Sequence, residues 1–254
     1  MIGLVVFAAQ AVTALQPSGP WTLQTAQAGC RISRAYSGSP VVELGFETRV
    51  TGSGVSMMLT APGKALPEGT GAIRVTIAPE RAVELHYGAF QTGDPATRMI
   101  KLFPDKATIE AISGAESIEI GKQPIALSMR GVGAAIKALD DCTAQLLTSW
   151  GADPELYRQG KLAKPTGALG GWFTNEDYKR VVKSRRIDGQ IVLLLKTAAD
   201  GTPSGCKAVD SPDPEINEGT CAVALQRARF KPPLDADGKP MASYAVLPVS
   251  WIKP

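Results

Sequence analysis

At 254 residues with 44% hydrophobic side chains, the chain carries enough apolar mass for one large or two modest cores, which excludes disorder as its default state. Its 27 basic and 24 acidic side chains leave a net charge of +3, too balanced for the electrostatic footprint of a nucleic-acid binder. The 26 glycines and 19 prolines beside 6% aromatic residues favour many short strands and turns over a helical bundle.

The chain opens on "MIGLVVFAAQAVTA", apolar and small, in which Val12-Thr13-Ala14 fits the small-x-small rule for signal-peptidase cleavage. The stretch is too short to span a bilayer, and no Lys or Arg precedes its apolar run. Export to the periplasm is the expectation, supported by an even number of cysteines; a buried N-terminal strand is the alternative. From Trp21 to about Gly131 strand follows strand. "VVELGFETRV" sets Val42, Leu44, Phe46, Thr48 and Val50 on one face against Glu43, Glu47 and Arg49, and "AIRVTIAP" repeats the alternation with Ile73, Val75 and Ile77. "AVELHYG", "RMIKLFP", "ATIEAIS" and "IALSMRG" read as further strands, which together predict an antiparallel sandwich or barrel.

In "GVGAAIKALDDCTAQLLTSWG" the period changes to helical, with Ile136, Leu139, Cys142, Leu146 and Trp150 on the expected buried face and Gly151 as the stop. This single helix is expected to close a β-rich domain over residues 21–151, after a signal-like segment at 1–20. Cys30 with Cys142 is the economical pairing, joining the first strands to that helix. Residues 152–171 lose periodicity and read as a linker. A compact unit over 172–254 then reads helix, strand, strand, helix, strand, from "NEDYKRVVKSRR", "GQIVLLLKTA", "SGCKAVDS", "PEINEGTCAVALQRA" and "PMASYAVLPVSW". Asp200-Gly201 signals a hairpin, and Asp213-Pro214 starts the second helix. The whole is α+β, a β domain followed by a small two-layer unit.

Chemistry is sparse. The one histidine, His86, lies in a strand-like stretch, no G-x-S-x-G elbow accompanies it, and HExxH, CxxC and EF-hand patterns are missing. "GVGAAI" lacks the third glycine of a dinucleotide site. The acidic pairs Asp140-Asp141 and Glu176-Asp177 fall near helix starts or on helix faces, where solvation or the helix dipole accounts for them. Cys206 and Cys221 are too far apart for redox spacing and lack companions for zinc. A disulfide remains, closing a loop of about fifteen residues and contributing roughly 3 kcal/mol in the chain-entropy model. No enzyme, cofactor or metal is expected. Lys179, Arg180, Lys183, Arg185 and Arg186 form a local basic run, a solvated helix face or a contact for an acidic partner.

From "WFTNEDY" through "DGQIVLLLKTAADGTP" and "ALQRARFKPPLDADGKP" to "VLPVSW", the last eighty or so residues resemble the TonB C-terminal domain family, periplasmic parts of energy transducers that serve outer-membrane transport. The two late cysteines fall where a disulfide-bearing, alphaproteobacterial subgroup carries them. The resemblance implies a module that binds an extended peptide by β-augmentation on its final strand, around Ala245, Val246, Leu247 and Val249, with Tyr178 near the approach and Lys179, Lys183 and Arg186 available to an acidic partner. The implied partner is an outer-membrane receptor or another envelope protein. The family's Tyr-Pro motif is here Tyr178-Lys179, and the family's membrane helix and Pro-rich spacer have no counterpart in this sequence. The earlier domain is loosely similar to secreted invasion-associated locus B type domains. The competing expectation gives the main function to that domain and makes the C-terminal unit a dimerisation element.

Overall fold

A computed structural model describes residues 13–26, 28–38, 42–48, 50–51, 54–79, 81–122, 125–183, 190–211 and 213–252. The expected signal segment through Val12 and Arg185-Arg186 of the basic run lie outside the described residues. In chain order the strands are β1 (Gln16–Pro17), β2 (Thr22–Ala26), β3 (Gly29–Ser37), β4 (Val42–Thr48), β5 (Val55–Pro62), β6 (Thr70–Ile77), β7 (Arg81–Gln91), β8 (Thr97–Leu102), β9 (Ser117–Ile120) and β10 (Ile125–Ser128). Then come β11 (Lys164–Pro165), β12 (Ile191–Thr197), β13 (Pro203–Asp210), β14 (Phe230–Lys231) and β15 (Ser243–Val249). The helices are α1 (Lys106–Ser113), α2 (Val132–Trp150), α3 (Pro154–Arg158), α4 (Asn175–Val181) and α5 (Asn217–Arg227). The fold is α+β. Two compact units divide the described residues: those up to Leu23 with Arg31–Glu47 and Val55–Leu139, and Gln24–Cys30 with Thr48–Gly54 and everything from Asp140 onward.

In the first unit the strands run β1-β3-β4-β5-β8-β7-β6-β9-β10, and the pairings described among them are antiparallel. Leu15 bridges the two ends of that path: its N–H donates to the Ala126 carbonyl at 2.8 Å and its carbonyl accepts from Ser128 N–H at 3.0 Å. The sheet is thereby a nearly closed barrel, the alternative of the pair expected from alternation that leaves fewest free edges. Val42, Leu44 and Phe46 are buried as the alternation of β4 requires. Arg34 is buried as well. Its guanidinium lies 4.4 Å from the centre of the Trp21 ring and donates to the Arg130 carbonyl at 2.8 Å and the Tyr36 hydroxyl at 3.0 Å.

Two expectations are corrected here. "ATIEAIS" is not a strand but lies in α1: Asp105 caps it by accepting from Thr108 N–H at 2.7 Å, and Thr108, Ile109 and Ile112 bury one face at helical spacing. The first unit therefore holds α1 besides the part of α2 up to Leu139. On α2 the buried stripe is Val132, Ala135, Leu139, Thr143, Leu147 and Trp150, whereas Ile136, Cys142 and Leu146 are half-buried. Leu139 and Trp150 are buried as expected, and the rest of the buried face runs through Val132, Ala135, Thr143 and Leu147 in place of Ile136, Cys142 and Leu146.

The second unit is built on the three-stranded antiparallel sheet β13-β12-β15. β12, at its centre, is apolar without alternation because both faces are covered. Ile191, Leu193 and Leu195 share one core with Ala245, Leu247 and Val249 of β15 and with Ile216, Ala224 and Trp251. Val192 and Leu194 share another with Tyr244 and Val246 of β15 and with Val50, Leu147 and Trp150. Both disulfides fall in this unit, Cys30 with Cys142 and Cys206 with Cys221. The latter fixes β13 to the middle of α5. Residues 152–171, expected as a linker, hold α3, β11 and a 3-10 turn at Leu169–Gly171.

Candidate functional site

β15 is an edge strand, hydrogen-bonded to β12 in an unbroken register from Ile191↔Val249 to Thr197↔Ser243. The direction of its backbone groups follows from one bond. The Tyr244 carbonyl accepts from Ala163 N–H at 3.0 Å and so points away from β12. N–H and C=O of one strand residue leave on the same side and alternate along the strand, so Tyr244, Val246 and Pro248 face outward while Ala245, Leu247 and Val249 pair with β12. Pro248 has no N–H, and its place at an outward position of an edge is where proline costs a sheet nothing.

The two halves of this outer edge differ. Val246 is only 2% exposed, beside a slot of about 190 Å³ lined by Gly160, Leu162, Ala163, Lys164 and Pro165 on one side and Ala245, Val246 and Leu247 on the other. Beyond it, Pro248 and Ser250 border a cavity of about 260 Å³ whose walls are Leu169, Phe173, Tyr178, Trp251 and Ile252, with Thr174, Asn175 and Ser250 as polar side chains and, among the described residues, no charged one. Ile252 is 79% exposed and Leu169 is exposed at the rim.

Local rules place the aromatic wall. Thr174 caps α4, accepting from Asp177 N–H, while the Asp177 carboxylate accepts from Thr174 N–H at 2.9 Å and from its hydroxyl at 2.7 Å, a reciprocal capping box. Arg180 donates to the same carboxylate at 2.8 Å, and Arg227 of α5 reaches it with both terminal nitrogens while donating to the Trp172 carbonyl at 3.1 Å. Burial alone would raise the Asp177 carboxyl; the bonds from Thr174 and then Arg227 outweigh it and hold it at about 2. The corner so fixed sets Phe173 edge-on to Trp251 at 5.4 Å and Tyr178 at 6.4 Å from the same ring. Trp251 is itself oriented by donating from Nε1 to the Thr220 hydroxyl at 3.1 Å.

Of the residues expected to bind a partner, Tyr178, Leu247 and Val249 line the aromatic cavity, and Ala245, Val246 and again Leu247 line the slot. Lys179 and Lys183 line neither. Lys179 is paired with Glu176 at 2.8 Å, and Lys183, with φ of 58°, ends α4 in the left-handed region. Arg186 lies outside the described residues. Phe173, Trp251, Leu169 and Ile252 carry the cavity yet were not singled out in the sequence; the signal available was the apolar pair Trp251 and Ile252 just beyond the end of β15, with Leu169 and Phe173 coming from the stretch before α4. Elsewhere, His86 is exposed on β7, and Asp140 is held by Arg158 at 2.7 and 2.9 Å. Among the described residues no group of three or more His, Cys, Asp or Glu side chains could hold a metal ion, and no helix is long and apolar enough to cross a membrane. The two disulfides indicate an oxidising compartment. No family model matches the chain, and neither a curated protein nor a solved structure matches it.

Proposed function

We propose that the second unit is a non-enzymatic, exported, strand-accepting module of the TonB C-terminal type, whose partner is an extended segment of an outer-membrane receptor or another envelope protein. The observation that carries the reading is the outer edge of β15 from Pro248 onward, which borders a cavity walled by Phe173, Tyr178 and Trp251. Backbone groups at a sheet edge supply affinity without regard to side chain, and an adjacent apolar cavity selects one or two side chains, the two elements of β-augmentation. The disulfides support an exported setting.

The test uses an acetylated, amidated heptapeptide alternating threonine and valine, a strand-forming probe, and the same peptide N-methylated on alternate backbone nitrogens. The first should bind the full chain and perturb the Tyr178 and Trp251 signals, whereas the second should not. Leu169→Ala at the cavity rim should weaken binding by roughly fivefold. Equal binding of both peptides would mean that side chains alone are read. In sedimentation of the chain without peptide, a dimer that the peptide does not dissolve would favour the competing reading, in which this unit self-associates.

A further inference from the structure

The segment running beside the covered half of the β15 edge is held to it by one backbone bond and one hydroxyl bond. Lys161 accepts at its carbonyl from the Ser243 hydroxyl at 2.6 Å, and Ala163 donates to Tyr244. The side chains between alternate across the sheet as a strand's would: Leu162 packs with the core containing Tyr244 and Val246, Ala163 with the core containing Leu247. Then the chain turns aside. Lys164 and Pro165 pair with Lys231 and Phe230 of β14, and Thr166 N–H donates to the Arg229 carbonyl at 2.9 Å. Val246 is left covered, and among the described residues its outward N–H and C=O have no backbone partner. Glycines in the left-handed region stand at both ends of the segment, Gly160 with φ of 67° and Gly167 with φ of 80°. Lys164, Pro165 and Thr166 are exposed, so the apolar surface that holds the segment down is confined to Leu162 and Ala163.

We infer that residues 161–165 are an intramolecular strap that occupies part of the strand-accepting edge and must leave it before a partner strand can pair with Val246. This rests on the reading of β15 as that edge. The partner then competes with the chain's own Leu162 and Ala163, and its apparent affinity is reduced by the fraction of molecules in which the strap is open.

Amide hydrogen exchange of the full chain, with and without the threonine–valine heptapeptide, tests this. In the saturated complex the Ala163 amide should exchange faster than in the free protein, while the Leu193 amide in the central strand stays protected. Ser243→Ala removes one strap bond; it should speed Ala163 exchange about two- to tenfold and tighten peptide binding by the same factor. An Ala163 amide that stays protected in the complex, or a variant with faster exchange and unchanged affinity, overturns the strap while leaving peptide binding intact. Failure of the peptide to bind either protein overturns the strand-accepting reading and the strap with it.

Discussion

Asp177 shows how much of the site depends on one carboxylate. It is 2% exposed and accepts from Thr174, Arg180 and Arg227, so it joins the start of α4 to α5 and to the backbone at Trp172. Its carboxyl titrates at about 2, below the ordinary value of 3.8. A group whose folded value is depressed contributes stability that is fully present above the unfolded value and is lost as pH falls through the folded one, here between about pH 4 and pH 2. Asp177→Asn keeps the shape but gives up charge-assisted hydrogen bonds, and should cost about 2–3 kcal/mol at pH 7. Urea unfolding of both proteins at pH 7 and pH 2.5 checks this: the difference should shrink at the lower pH. A difference that does not change with pH would show that the charge on Asp177 is not what stabilises the corner. In the sequence, the Glu176-Asp177 pair was legible as a helix start; Arg227 as its partner was not, because it comes from another helix fifty residues away.

At the level of elements, the hairpin between β12 and β13 depends on Gly201. Its φ is 85°, and a Cβ there would lie 2.0 Å from the Phe230 carbonyl oxygen, while its own carbonyl accepts from Phe230 N–H at 2.9 Å. Gly201→Ala must both strain the backbone and push β14 away. Gly238, with φ of 77° and open space around it, offers the control in which only the strain remains. We expect Gly238→Ala to cost about 1–2 kcal/mol and Gly201→Ala clearly more, measured by thermal unfolding. Equal losses would mean that β14 yields freely. The Asp-Gly turn and the apolar run of β12 were readable because both signals are local. α1 was misread because a short apolar stretch fits either period, and only the cap by Asp105 decides between them. The strap could not be read at all: Lys161 meets Ser243 across 82 residues, and nothing in "GKLAKPTG" announces an edge so distant in sequence.

Over the whole molecule, the two disulfides constrain the unfolded chain unequally. The link between Cys30 and Cys142 spans 112 residues and that between Cys206 and Cys221 spans 15. In the chain-entropy model these contribute about 4.7 and about 3 kcal/mol. Replacing Cys30 and Cys142 by alanine should therefore lower the free energy of chemical unfolding more than replacing Cys206 and Cys221, by a margin of about 1–2 kcal/mol. The reverse order would place the stabilisation of the shorter link in the native contact of β13 with α5. One last property follows from Pro248. An edge strand is also a template for identical chains, and a regular edge can extend into a filament as each copy supplies donors and acceptors to the next. Here the outward row loses its donor at Pro248 and is covered at Val246. Two such edges laid side by side with their straps closed cannot form a continuous ladder, whereas a partner that opens the strap meets an edge interrupted at Pro248 alone, so the closed molecule resists aggregating with copies of itself.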